Sequence, residues 1–158
     1  MENPNAPRRY KGRRLRIPGY DYSTPGYYFV TSVTHERRCL FGEVKNDVMH
    51  LSDLGKTVEA AWKELPERYE GIEHDMFVFM PNHLHGIVVL DGNCPLSGVM
   101  MKFKSWTGHQ FAQRNPGATL WQKSYHDHVV RGDEDLAQLR EYFSNNPLKW
   151  ALDEENVS

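Results

Sequence analysis

Cysteine is scarce in this chain: Cys39 and Cys94 are the two present in 158 residues, far apart and outside any CxxC spacing. That excludes a disulfide-stapled scaffold and suits reduced thiols in the cytoplasm. Long hydrophobic runs are missing as well. No stretch approaches the roughly 18 residues of a membrane span, and the polar, then basic N-terminus lacks the apolar core of a signal peptide. The expectation is a cytoplasmic protein with no membrane partner. There is no HExxH helix, no P-loop and no GxSxG turn, so the common zinc-protease, nucleotide-triphosphate and serine-hydrolase signatures are absent and no nucleotide cofactor is expected. Repeats and low-complexity linkers are absent too. A net charge of −2 gives no overall attraction to a polyanion.

The distribution of that charge says more than its sum. Arg8, Arg9, Lys11, Arg13, Arg14 and Arg16 fall within nine residues that contain no acid. Setting those six aside from the 19 basic residues leaves 13 against 21 acidic ones in the rest of the chain. A basic arm on a mildly acidic body is a common arrangement for touching nucleic-acid phosphates, although a solvated tail has the same composition. The expected organisation is an arm over 1–20, one domain over 21–150 and an acidic tail over 151–158. That length suffices for one real core.

Along the body, Tyr27 to Thr34 reads as a first strand, introduced by the Pro25-Gly26 turn. Leu54, Val58, Ala61, Trp62 and Leu65 recur at helical spacing after a Ser52/Asp53 cap, and Pro66 closes the helix. Asp75 to Met80 is a second strand, and Pro81-Asn82 turns into a third that runs to Leu90. A helix over about 96–114 carries Val99, Phe103, Trp106 and Phe111. Thr119 to Arg131 reads as a fourth strand. Asp133, Glu134 and Asp135 then open a last helix, which suits its dipole, with Leu136, Leu139 and Phe143 facing inward. The order βαββαβ plus a final helix predicts an α+β, ferredoxin-like antiparallel sheet, two helices on one face and an additional C-terminal helix. That fold hosts many functions and argues for none.

The chemistry centres on Met80-Pro81-Asn82-His83-Leu84-His85-Gly86. On a strand, residues i and i+2 share a face, so His83 and His85 aim both imidazoles at one spot. Two neutral imidazoles make half of a metal site; two strand histidines with ordinary hydrogen bonds remain the alternative. A histidine-triad hydrolase would need a third alternating histidine where Ile87 stands. Paired HxT/S phosphodiesterase motifs are absent. A second HxH, His126-Asp127-His128, lies on the fourth strand, where an exposed edge or a DNA-contact surface explains it better than a metal does. Tyr125 adjoins that pair, but alternation turns it to the opposite face. On the last helix, Tyr142 and Asn146 stand about 40° apart, one turn from each other. If that helix crosses the histidine face, it delivers a phenol and an amide oxygen there. A partly buried tyrosine beside a helix-ending Asn-Asn-Pro is the plainer alternative.

Taken together, Gly26 to Thr31, Met80 to Gly86, Trp121-Gln122 with Tyr125 and His128, and Glu141-Tyr142 with Asn145-Asn146-Pro147 resemble the REP-associated tyrosine transposases. These are a branch of the single-tyrosine transposases whose mark is His-hydrophobe-His, or HUH. The resemblance covers nearly the whole chain. It implies a divalent ion, Mg²⁺ or Mn²⁺, held by His83, His85 and a polar residue of the tyrosine helix. Relatives often have Gln four residues after the tyrosine, and this chain has Asn146 there, with Asn145 adjacent. Tyr142 is the implied nucleophile, giving a 5′-phosphotyrosine that a 3′-hydroxyl can reverse without ATP. The implied partner is single-stranded DNA folded into REP-type hairpins, met by a monomer or homodimer. Tyr27, Tyr28 and Trp106 are candidate base-stacking rings, or core. A non-catalytic single-strand binding module and a metal-dependent phosphodiesterase without a covalent step are the rival readings.

Overall fold

The computed structural model describes residues 20–145 and Trp150. The basic arm, Asn146 and the acidic tail lie outside the described residues. A four-stranded antiparallel sheet is built from β1 (Gly26–Val33), β4 (Ile72–Met80), β5 (His83–Leu90) and β6 (His126–Val129), in the order β4-β5-β1-β6. The helices are α1 (Asp53–Lys63), a short α2 (Leu65–Arg68), α3 (Leu96–Arg114) and α4 (Asp133–Asn145). This is the expected ferredoxin-like order.

One pair of strands was not anticipated: β2 (Gly42–Lys45) and β3 (Val48–Leu51) form a separate hairpin between β1 and α1. Asn46 and Asp47 both take positive φ, 51° and 61°, as a two-residue hairpin turn of type I′ requires. The fourth strand is shorter than expected. Trp121 bridges to Thr34, but Lys104 Nζ then takes the carbonyls of Gln122 and Ser124 at 2.7 and 2.9 Å. The chain rejoins the ladder only at His126. Pro66 does not end the first helix; it sits in the opening turn of α2, where its missing N–H is harmless. β4 starts three residues earlier than expected, at Ile72, with a register shift between His74 and Phe77.

Alternation divides the sheet's two faces. Tyr28, Val30, Leu84 and Val88 point to one face, where Val58 and Trp62 of α1 and Leu96, Val99, Met100 and Phe103 of α3 complete the main core. Trp62 fits there because position 86 is glycine. A Cβ on Gly86 would stand 2.6 Å from the indole ring. Trp106 is not part of this core as expected. It is 38% exposed at the rim, with the Arg68 guanidinium 5.2 Å over its ring. The opposite face carries Phe29, Val78 and Ile87, and there α4 lays down Leu136, Leu139 and Phe143.

Candidate active site

The HLH strand follows a tight turn that the rest of the chain bolts down. Thr34 donates its backbone N–H to the carbonyl of Asn82 at 2.9 Å, and Phe41 donates to the carbonyl of Pro81 at 2.9 Å. From that turn β5 runs between β1 and β4, so His83 and His85 start a strand paired on both sides. Both rings are buried, at 0% and 1% exposure, with centroids 4.5 Å apart. They lie on the α4 face, as the alternation argument requires.

Each imidazole is held through Nδ1. Asn82 Oδ1 lies 2.9 Å from His83 Nδ1, and Thr31 Oγ1 lies 2.7 Å from His85 Nδ1. Phe29 stacks on His85 at 5.4 Å between centroids, and the Trp150 ring lies 6.0 Å from that of His83. Anchoring through Nδ1 leaves Nε2 as the ligand-type nitrogen, the usual arrangement for a metal-binding histidine. The donor chemistry therefore fits a divalent ion. Among the described residues no group of three His, Cys, Asp or Glu side chains gathers into a metal site; His83 and His85 are the two imidazoles that could hold such an ion.

Tyr142 reaches this pair. Its hydroxyl is 3.4 Å from His85 Nε2, and the two rings are 5.5 Å apart. α4 holds the tyrosine there by a short apolar seam and by polar contacts to both edge strands. Arg140 grips Asp75 of β4 with two hydrogen bonds of 2.9 and 2.5 Å, which raise the pKa of the guanidinium still further, the hydrogen bond being the main cause. At the other end, Asp135 Oδ2 meets His128 Nε2 at 2.8 Å and accepts the Arg131 N–H at 2.9 Å. The second HxH thus divides its labour: His128 secures α4, while Asp127 faces the opposite side with Tyr125, which is buried in the main core. Of the expected site residues, His83, His85 and Tyr142 come together. Asn146 and Arg8, Arg9, Lys11, Arg13, Arg14 and Arg16 fall outside the described residues.

Two contributors escaped sequence reading, Asn82 and Thr31. Asn82 adjoins the motif and could have been suspected. Thr31 needs the β1–β5 register, which pairs it with His85. Of the candidate stacking rings, Tyr28 is excluded, since it is fully buried and its hydroxyl donates to the Thr24 carbonyl.

This geometry coincides with a family match. Residues 23–146 match the family described as "Transposase IS200 like". The chain belongs to the IS200-like transposase family. It is therefore an enzyme of the transposase class, with the single-tyrosine layout of its HLH strand and last helix. An uncharacterised protein of Haemophilus influenzae is 30% identical over 90% of this chain and 91% of its own length. A second protein of that organism, provisionally named a REP-associated tyrosine transposase, is 23% identical over 82% of this chain and 74% of its own. Among solved structures, a REP-associated tyrosine transposase bound to a REP hairpin shares the fold with a TM-score of 0.63 and 19% identity. That match covers 87% of this chain and 74% of the other. A provisionally identified transposase from Deinococcus radiodurans has a TM-score of 0.54 at 16% identity, covering 82% and 95%. No described helix is long and apolar enough to cross a membrane.

Proposed function

We propose that this transposase cuts and rejoins single-stranded DNA at REP-type hairpins, through a 5′-phosphotyrosine on Tyr142. The observation that carries the reading is the approach of the Tyr142 hydroxyl to His85 beside His83, at the head of one buried strand. His83, His85 and an amide oxygen of Asn146 would hold Mg²⁺ or Mn²⁺, an acceptable set for a hard ion completed by water and phosphate oxygens. When bound, the ion supplies charge to a non-bridging oxygen of the scissile phosphate. The phenol oxygen attacks phosphorus in line as the bond to O3′ breaks. The phenol gives up its proton, and the departing O3′ takes one. The new phosphotyrosine keeps a phosphodiester's free energy, so a 3′-hydroxyl can reverse the step. Arg8, Arg9, Lys11, Arg13, Arg14 and Arg16 would meet hairpin phosphates, and residues 1–20 would serve as the arm for that contact. The similarity to proteins named for REP elements supports the choice of hairpin.

The test is a labelled REP-type hairpin incubated with protein and Mn²⁺, then run in SDS. Wild type should give a cut strand and a protein–DNA band that survives SDS, with the adduct mapping to Tyr142. Tyr142→Phe removes one oxygen and should lose both products while still binding the hairpin. Cutting without an adduct would mean hydrolysis by water. Binding without cutting would mean a recognition module.

A further inference from the structure

Asn82 is fully buried, and its side chain is wired in two directions. Nδ2 donates to the carbonyl of Arg37 at 3.1 Å, and Oδ1 faces His83 Nδ1 at 2.9 Å. The carbonyl of Arg37 can only accept, so the amide cannot turn over without setting oxygen against oxygen. Its Oδ1 therefore has one role toward His83, that of acceptor. His83 Nδ1 must then carry the hydrogen, and a neutral His83 has a bare Nε2. We propose that Asn82 is a positioning residue that fixes His83 in the Nδ1–H tautomer, its own polarity set by the Arg37 carbonyl.

The support for that carbonyl is unusual. Glu36 and Arg37 both take positive φ, 56° and 54°, a conformation that costs non-glycine residues free energy and persists where surroundings enforce it. Thr34 supplies such an enforcement, with its hydroxyl shared between the carbonyls of Arg38 at 2.7 Å and Asn82 at 3.1 Å. His85 is held differently. Its Nδ1 partner, the Thr31 hydroxyl, both donates and accepts, so it leaves the tautomer to the other nitrogen. One histidine is preset by the fold and its neighbour is adjustable. The consequence for metal binding rests on the function proposed above: a preset Nε2 lone pair spares the ion the cost of reordering the imidazole.

Full-length protein with ¹⁵N-labelled histidine, free of added metal, tests the tautomer directly by long-range ¹H–¹⁵N correlation, with His83→Gln to assign the signals. The expected result is a protonated Nδ1 and a bare Nε2 on His83; the opposite tautomer overturns the proposal. Asn82→Ala should lose that preference and weaken Mn²⁺ binding by roughly 10- to 100-fold. Asn82→Asp keeps the acceptor toward His83 and should keep the Nδ1–H tautomer, while the loss of the donor to the Arg37 carbonyl should lower its stability. An Asn82→Ala protein with wild-type tautomer and Mn²⁺ affinity also overturns it. Should that variant misfold, the wild-type spectrum and Asn82→Asp still decide. A wild type with the expected tautomer and no Mn²⁺ binding leaves the Asn82 assignment standing and refutes the metal reading instead.

Discussion

The two faces of the central sheet are built by different physics. Among the described residues, the α1/α3 face is an apolar layer of nineteen buried side chains, with Trp62, Phe41 and Met100 fully enclosed. Among the described residues, the apolar cluster under α4 has three buried side chains, Ile87, Leu139 and Phe143, and Val33 and Met80 are buried on the same face beside His83. What it lacks in apolar contact it makes up with directed ones, Arg140 to Asp75 and Asp135 to His128. Non-directional burial gives stability wherever shapes fit. Directed contacts give less stability and more definition of where a helix lies. The catalytic candidates sit on the second face, on a strand stabilised from the first. The candidate nucleophile Tyr142 thus rides on a helix seated by few buried apolar side chains of its own, Leu139 and Phe143.

The sharpest way to break this comparison is to damage the first face. Trp62→Ala opens a cavity beside Gly86, and truncations of buried aromatics cost about 3–5 kcal/mol. Equilibrium urea unfolding should show a loss of that order, and cleavage should fail along with the fold. If the loss were well below ~1 kcal/mol, the main core would not depend on the α1–sheet contact as described.

A smaller and opposite dissociation is expected on the second face. Arg140→Ala frees the middle of α4 from β4 while leaving the buried stripe intact. The unfolding midpoint should move little, because the Arg140 side chain is about half exposed, at 48%, although its Asp75 partner is 12% exposed. Hairpin cleavage should fall by roughly tenfold or more, since reacting groups displaced by even an ångström lose much of their rate. Single-turnover cleavage beside urea unfolding separates the two effects. Stability and activity falling together would mean that α4 is part of the structural core after all.

The same division explains what could be read in the sequence. Periodicity revealed the strands and helices that are apolar on one side, and it put His83 and His85 on one face. The Asn46-Asp47 turn signal was present but fell between two strands of four residues, whose alternation is too short to stand out. The fourth strand was drawn too long because its interruption depends on Lys104, a residue from a different element. Two of the contacts that build the site are long-range: Asp75 is 65 residues from Arg140, and Thr31 is 54 from His85. Such pairs have no local pattern. The role of His128 was missed for a different reason: its partner Asp135, seven residues on, looked like a helix-opening acid and nothing more.

The smallest expected effect is an acid sensitivity confined to the first face. His74 stacks on Trp62 at 5.0 Å and shares a 2.5 Å hydrogen bond between its Nε2 and the Trp62 carbonyl. That carbonyl can only accept, so His74 carries its hydrogen on Nε2. Its Nδ1 is buried with no hydrogen-bond partner among the described residues. Protonation would place a second N–H in the apolar layer with nothing to receive it. Burial accordingly pushes its pKa below 6.5, against the opposing pull of the Trp62 hydrogen bond. In the unfolded chain the same ring titrates near its ordinary value of about 6.5. Between the depressed folded value and about 6.5, the unfolded state therefore binds more protons, so stability rises with pH across that window. It is lost as pH falls below about 6.5 and levels off once the folded ring is protonated too. His74→Phe keeps a ring against Trp62 and removes the titration. Unfolding free energies at pH 7.5 and 5 should therefore differ less in the variant than in wild type. An equal fall in both proteins would show that the acid sensitivity lies elsewhere and that His74 is no weak point of the apolar face.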